Sequence, residues 1–504
     1  MRRRSGLLRI LNAKKYVKIL HAASVGVPRR PCPGGLLLLR DGPTAGQIPD
    51  KAGMTVKGIV KDSAGNGIAG VVVSDGLEVT ATDERGIYYL ASDLARRNFV
   101  FVSVPADCEI PATQGCPRFY RKIDRKQAVN RADFTLTRRK TPSDRHSLIV
   151  MADIQLAADN TSVDSYLGHV VPDVLKTVQG LPTEVYGVSL GDLVWNDMSL
   201  FPKYRQGLET LGFTTFSLPG NHDHDPAELT DSLALQSYER YFGPANYSVN
   251  IGKIHYLFLD NILFDHAPTA GEEYTIGLTD EICRWIEADL RYVPAGSTLV
   301  VSSHCPILYH TKNTAARNHR NFQRFLDAIS PYKVHAFGGH KHYHDIYRYD
   351  DGRKVMHCIA RTPGDLFING DVNCDGTPRG YAVVEVDGER LSWYYKPAGG
   401  KRDMQMRLYA PGRTNSACVY ANVWGYDTAW SAVEWIPASG GQAEAMERTQ
   451  RTDPYYEEVL ATGVRGGTPT NTWHMFRVDP GSERGGMVRV TDSFGHTYES
   501  SVSW

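Results

Sequence analysis

The chain has 504 residues, of which 42% are hydrophobic and 22% charged, a length for two to four domains and a composition typical of soluble globular proteins. Its 56 basic and 56 acidic side chains balance, which gives no electrostatic reason to expect a nucleic-acid polymer or an anionic membrane as a partner. No apolar run approaches the roughly 20 residues of a membrane span, and the eight cysteines form no Cys-x-x-Cys pair of the zinc-binding kind.

The N-terminal segment, residues 1–50, is strongly basic and has no acidic residue before Asp41. It resembles the start of an export signal, but Arg9 and the lysines that follow interrupt every apolar run that would form the core of one. We therefore expect a disordered or processed segment and no clean signal peptide.

The next segment, residues 51–140, consists of short alternating runs such as VKGIVKD and NFVFVSV, separated by Gly, Asp, Asn and Ser. Alternation with a period of two and frequent turn residues predict a small β-sandwich. Cys108 and Cys116 flank one loop of it, and a disulfide and two free thiols are equally compatible with that spacing. The polar stretch RRKTPSDR (138–145) reads as a linker.

The central segment, residues 146–395, alternates strand-like with helical runs, which predicts an α/β domain with helices packed on a sheet. The predicted strands include HSLIVMADIQ, EVYGVSLGDLVW, FTTFSLPGNHD, KIHYLFLDN, STLVVSSHCP and YKVHAFGGHKH, and the predicted helices fall within residues 163–179, 229–242, 280–293 and 319–330. In residues 396–504 the helical patterns disappear, and a second β-sandwich is expected.

Metal-binding side chains follow five of the central strands at the point where each strand ends. In chain order they are Asp153, Gln155, Asp192, Asn221, His222, His304, His340 and His342. Because ligands of open α/β sheets bind at the carboxyl ends of the strands, we expect these side chains to converge. For Asn221 and His222 taken alone, a turn with hydrogen-bonding side chains is an equally good interpretation. The other four motifs favour a site.

This set of donors predicts a two-metal centre. Carboxylate and amide oxygens together with imidazoles suit Mn, Fe or Zn. Two ions about 3.5–4 Å apart need a ligand that touches both, and the carboxylate of Asp192 is the natural candidate. Gly191 and the pair Gly338–Gly339 allow the backbone to turn close to the ions.

The motifs DIQ, GD, GNHD, SSH and GHKH, in this order between residues 148 and 344, resemble those of the calcineurin-like metallophosphoesterases. The resemblance implies a central αββα sandwich, flanked here by two small all-β sandwich domains. It implies that one metal is held by Asp153, Gln155, Asp192 and His342, and the other by Asp192, Asn221, His304 and His340. It also implies that His222 is catalytic and contacts phosphate rather than metal.

Two positions depart from the family pattern. Gln155 stands where most members have His; its carbonyl oxygen is a harder ligand, which weakens that site or favours Mn or Mg over Zn. Where many members have an Asp that orients the catalytic histidine, this chain has Trp195. Asp197 and Asp223 are the two candidates for that role.

The expected function is a metal-dependent phosphohydrolase acting on phosphomonoesters or phosphodiesters through a hydroxide that bridges two divalent metal ions. One alternative is a nucleotide diphosphate hydrolase of the same fold, because some family members that cleave nucleotide diphosphates resemble this chain in having Gln at the position of Gln155. The other alternative is a non-catalytic surface binding protein with a degenerate metal site. The flanking segments resemble those of bacterial three-part members, which are generally exported, so a secreted or periplasmic location and a small phosphorylated substrate are expected.

Overall fold

The computed structural model describes residues 48–159, 161–264, 274–308, 319–350, 352–364, 372–414, 416–463 and 467–504. Among these residues, no helix is long and apolar enough to cross a membrane. Residues 1–47 of the N-terminal segment, for which a disordered or processed segment is expected, lie outside the described residues.

The centre of the fold is built on two stacked sheets. The five-stranded sheet has the order Thr215–Ser217, Glu184–Ser189, Arg145–Met151, Gly380–Asp387, Arg390–Pro397. The six-stranded sheet has the order Tyr247–Ile251, Ile254–Leu259, Thr298–Ser303, Lys333–Gly338, Lys354–Cys358, Asp345–Tyr349. The first three strands of one sheet, and the four inner strands of the other, run parallel. This is the predicted α/β architecture.

Alternation along the strand Arg145–Met151 shows how the layers form. Leu148 and Val150 point into the core between the two sheets, whereas Ile149 and Met151 point into a core on the other face. That second core is closed by helices, and further helices cover the far face of the six-stranded sheet, so four layers result. The helices beside the five-stranded sheet are Ser162–Ser165, the π-helical turn Tyr166–Val170, Val171–Val178, Phe201–Leu211, Asp231–Ala234 and Gln236–Phe242; those on the six-stranded sheet are Asp280–Asp289 and Phe322–Ala328. Helices lie in all four predicted segments, and Phe201–Leu211 is a helix that the sequence analysis does not predict.

The N-terminal strands form two facing sheets whose core continues into the centre of the fold. One sheet consists of Val56–Asp62, Ile87–Leu90, Asn130–Arg131 and Phe134–Leu136, and the other of Val72–Ser74, Val79–Ala81, Phe99–Ser103 and Tyr120–Lys122. Ala112–Thr113 and Cys116–Pro117 pair with each other in a separate hairpin. Phe101 packs edge-on against Trp285 of the helix Asp280–Asp289, with ring centroids 6.2 Å apart. Cys108 and Cys116 are both buried and unbonded, which decides between the two alternatives for this pair.

The C-terminal strands form a second sandwich with its own core, which includes Trp435, Val423 and Val488. Its two sheets have the orders Arg407–Tyr409, Val419–Asn422, Thr472–Val478, Glu447–Arg451 and Glu444–Ala445, Glu434–Pro437, Gly485–Thr491, Thr497–Ser503. The expectation of an all-strand segment is wrong at one place, because Pro454–Ala461 is a helix. Asp453 begins it by accepting hydrogen bonds from two backbone N–H groups, and Pro454 occupies its first turn.

Candidate metal centre

The carboxyl ends of five parallel strands, three in one sheet and two in the other, bring the predicted donors together. Asp153, Asp192 and Asn221 follow Arg145–Met151, Glu184–Ser189 and Thr215–Ser217, and His304 and His340 follow Thr298–Ser303 and Lys333–Gly338. The ligand atoms of Asp153, Asp192 and His304 all lie within 4.8 Å of one another, and the three residues are buried. The sequence prediction that these side chains converge is confirmed.

One half of the cluster is built around Asn221. Its Oδ1 lies 3.0 Å from His304 Nε2 and 3.1 Å from His340 Nδ1, and the two imidazole nitrogens are 3.2 Å apart. Asp192 Oδ1 lies 3.3 Å from His304 Nε2. We call Asp192, Asn221, His304 and His340 together the His304 position.

The other half is built around Asp153. His342 Nε2 lies 3.4 Å from Asp153 Oδ1, and the backbone N–H of His340 donates to both carboxylate oxygens of Asp153 at 3.0 and 2.9 Å. With Asp192, which lies between the two halves, Asp153 and His342 form what we call the Asp153 position. The arrangement offers two adjacent sets of donors that share one carboxylate, the requirement for a two-metal centre.

The backbone at the site is held in an uncommon conformation. Nine non-glycine residues in the described part of the chain have positive φ angles, and six of them belong to this cluster or its loops: Asp153, Gln155, Asp192, Asn196, His340 and His342. Left-handed backbone at non-glycine residues persists only where the surroundings enforce it, and such residues gather at functional sites.

Two glycines allow the loops to approach the carboxylates. A Cβ atom on Gly220 would lie 2.2 Å from Asp192 Oδ1, and one on Gly339 would lie 2.3 Å from Asp153 Oδ2. Both distances are far below a normal contact, so each glycine leaves the space that its neighbouring carboxylate occupies.

The charges favour a cation at this site. Burial by itself would raise the pKa of Asp192, but His304 and His222 hold it well below its usual value. Burial likewise opposes protonation of His304, yet Asp192 and Asp153 raise the pKa of His304 to about 9. The buried carboxylates therefore draw positive charge to the atoms predicted to bind metal.

His222 lies beside the cluster and is oriented by a residue that the sequence analysis missed. Its Nδ1 lies 2.9 Å from the side-chain oxygen of Asn196, and its ring stacks on Trp195 with centroids 3.7 Å apart. An amide oxygen can only accept, so Nδ1 carries the proton and Nε2 is the nitrogen left for a reactant. Burial lowers the pKa of His222.

The prediction that Asp197 or Asp223 orients His222 is therefore wrong. Asp197 accepts hydrogen bonds from the N–H and hydroxyl of Ser199 and caps a short helical turn. Asp223 is fully buried and accepts from the backbone N–H groups of Gly220, Leu193 and Val194, which joins the two loops of the site. Burial, and next the charge of Asp192, raise the pKa of Asp223 to about 7.

Gln155 lies in the cluster, but its amide is not oriented as predicted. Its carbonyl oxygen accepts a hydrogen bond of 2.7 Å from Arg361 Nε, and its NH₂ group donates to Asp192 Oδ2 at 2.9 Å. Arg361 is only 2% exposed and was not a sequence candidate. A lone arginine 206 positions away carries no local signal that links it to DIQ.

Both ends of the chain match models of one family. Residues 54–139 match the model described as the N terminal of calcineurin-like phosphoesterase, and residues 357–498 match the model of its C terminal. A search of curated proteins finds no match.

Solved structures that resemble the chain are remote in sequence. A dimetal phosphatase from Danio rerio is 13% identical over 50% of this chain and 96% of its own, with a TM-score of 0.37. Purple acid phosphatase PPD1 from yellow lupin is 14% identical over 51% and 52%, with a TM-score of 0.38. A 5′-nucleotidase from Candida albicans is 10% identical over 50% of each chain, with a TM-score of 0.30.

Proposed function

Because the chain belongs to the calcineurin-like metallophosphoesterase family, we propose that it is a metal-dependent phosphohydrolase that cleaves phosphomonoesters or phosphodiesters. The observation that carries the proposal is the convergence of buried carboxylates and imidazoles, with Asp153, Asp192 and His304 presenting ligand atoms within 4.8 Å of one another. Carboxylates, an amide oxygen and imidazoles form the donor set of divalent Mn, Fe or Zn.

Asn221, His304, His340 and the shared Asp192 would hold one ion, and Asp153 and His342 with Asp192 would hold another. Divalent ions bound there would neutralise the phosphoryl oxygens and lower the pKa of a water from 15.7 toward ~7. The chain itself supplies rigid positioning, since the left-handed loops and close glycines fix these donors before any reactant arrives.

His222 is the proposed proton donor. The Asn196 contact keeps a proton on Nδ1 and fixes the plane of the ring. When the ring is doubly protonated, the second proton, on Nε2, can pass to the leaving oxygen as the phosphorus–oxygen bond breaks, and the ring returns to the neutral form with its proton on Nδ1. No covalent intermediate with the protein is needed, since positioning and electrostatic stabilisation do most of the work in phosphoryl transfer.

The test is hydrolysis of a chromogenic phosphomonoester, a phosphodiester and a nucleotide diphosphate by the full chain, each with Mn²⁺, Mg²⁺, Zn²⁺ or Fe²⁺. His222→Ala should lose most turnover and keep its metal content, whereas Asp192→Ala should lose both ions by elemental analysis. His169→Ala, which changes an exposed helical histidine, is the matched control and should retain activity. Absence of turnover with every substrate and ion, in protein that binds metal, would favour the non-catalytic binding protein instead.

The proposed location outside the cytoplasm rests on the three-part organisation, which is supported by the family matches at both ends. The same hydrolysis panel identifies the activating ion and the substrate class.

A further inference from the structure

We infer that the two cation positions are unequal, because Arg361 withholds the oxygen of Gln155 from the Asp153 position and sets a fixed positive charge beside it. The inference deepens the proposed function and rests on it for the identity of the site. It assigns Arg361 as a positioning residue that tunes metal binding, and it removes Gln155 from the predicted set of metal ligands.

The hydrogen bonds of Gln155 fix which way its amide faces. Arg361 Nε can only donate, and it lies 2.7 Å from Gln155 Oε1; the Asp192 carboxylate can only accept, and its Oδ2 lies 2.9 Å from Gln155 Nε2. A reversed amide would set two donors against each other at Arg361 and two acceptors at Asp192. Both Gln155 and Arg361 are almost completely buried, so water cannot relieve either conflict.

The pair is part of the fold and not a chance contact of a mobile side chain. The residue after Arg361 is tied to the strand end that carries the cluster: Thr362 N–H donates to Ala152 O at 2.9 Å, and Ala152 N–H donates to Thr362 Oγ1 at 2.9 Å. The carbonyl of Arg361 accepts from Asn373 Nδ2 at 3.3 Å. Arg361 is therefore anchored beside the loop that holds Asp153 and Gln155.

The consequence is a difference in the number of ligands. The His304 position has four donors, from Asp192, Asn221, His304 and His340, whereas the Asp153 position is left with three, from Asp153, Asp192 and His342. Only the amide group of Gln155 separates the guanidinium of Arg361 from Asp192, so its positive charge repels a cation at the Asp153 position. Fewer ligands and a nearby positive charge both weaken the Asp153 position, so we expect two classes of Mn²⁺ sites whose dissociation constants differ by at least tenfold.

The experiment is a titration of the metal-free full chain with Mn²⁺ alone, in which free Mn²⁺ is followed by electron paramagnetic resonance. Arg361→Met keeps the apolar stem and removes the charge, so Gln155 becomes free to turn its oxygen to the ion. The weaker class should then tighten at least fivefold, while the stronger class changes by less than twofold. Arg353→Met, which changes an exposed arginine paired with Asp350, is the matched control and should leave both classes unchanged.

Gln155→Ala provides a second test that does not depend on how Arg361→Met folds. If Gln155 supplies no ligand, the weaker class should not weaken more than twofold. A tenfold or greater loss of Mn²⁺ affinity at the weaker class in Gln155→Ala, or two classes of Mn²⁺ sites with equal affinity in the unsubstituted chain, would overturn the inference. Because the readout is metal binding, two unequal classes in a chain that hydrolyses no substrate would refute the proposed function alone, and equal classes in an active chain would refute this inference alone.

Discussion

His474 links the C-terminal sandwich to the loop that carries two of the predicted ligands, and its removal should be costly. It lies in the strand Thr472–Val478, is 2% exposed, and has Nε2 2.9 Å from the carbonyl oxygen of His344. Its Nδ1 lies 2.7 Å from Asn422 Oδ1. Both partners accept, so both ring nitrogens donate and the ring is an imidazolium.

Asp375 provides the matching negative charge. Its Oδ2 lies 3.4 Å from His474 Nε2 and accepts a 2.9 Å hydrogen bond from the N–H of His344, two residues after His342. Burial opposes the charge on His474, but Asp375 raises the pKa of His474 above its usual value. Asn422 cannot flip to donate to the ring, because its Nδ2 already donates to Asp375 O and to a carboxylate oxygen of Asp453.

His474→Leu should therefore lower the free energy of unfolding by about 3 kcal/mol. Breaking a buried ion pair costs roughly 3–5 kcal/mol; we take the lower end because Asp375 keeps its hydrogen bonds to His344 and Thr377. Losing the anchor of the His342 loop should also weaken Mn²⁺ binding at the Asp153 position about fivefold. Denaturant unfolding and Mn²⁺ titration measure the two effects.

The matched control is His496→Leu, which changes an exposed histidine paired with Asp492 and should alter stability by less than about 0.5 kcal/mol. Adding Asp375→Asn to His474→Leu should recover part of the stability, since the buried charge that lost its partner is then neutral. A loss below about 1 kcal/mol in His474→Leu, or no recovery in the double variant, would refute the buried imidazolium.

Three further changes test separate parts of the site and fold. Gly339→Ala should weaken Mn²⁺ binding at the Asp153 position at least tenfold by displacing that carboxylate; unchanged affinity in the same titration would contradict the contact. Asn196→Ala should lower kcat about tenfold through misorientation of His222, with KM and metal content unchanged and with recovery in Asn196→Asp; equal kcat would exclude the orienting role. Burial lowers the pKa of His146 to about 4, so as pH falls the unfolded chain binds its proton first and stability is lost. His146→Gln should therefore lose about 2 kcal/mol less than the unsubstituted chain between pH 7 and pH 5, as measured by urea unfolding, and an unaltered pH dependence would contradict the assignment.

The donors could be predicted from sequence because each directly follows an apolar strand. A parallel strand fixes where its carboxyl end lies, so Asp192 and His304 meet where strands of the two stacked sheets end, although 112 positions separate them. The same rule could not place the hairpin formed by Gly380–Asp387 and Arg390–Pro397. Its alternation fits any sheet, and only tertiary packing decides that it pairs antiparallel with Arg145–Met151.

The missed helix Pro454–Ala461 had a usable local signal, the sequence DPYYE, in which Asp precedes a Pro and an acidic residue follows in the first turn. It was masked by the surrounding strand-like runs. The error over Asp197 and Asp223 has a different cause, since a search restricted to acids passes over Asn196, which orients a ring equally well by accepting from Nδ1.

Gln155 shows where reasoning from residue type alone fails at this site. The amide group can present either an oxygen or an NH₂ group to a cation, and the sequence around it is the same in both cases. What decides is Arg361, which comes from another strand end and can only donate. Whether an amide side chain can bind a metal ion is thus set by its hydrogen-bond partner. A glutamine at position 155 can turn its oxygen to the ion when no arginine lies beside it, and accepts from the guanidinium when Arg361 is present.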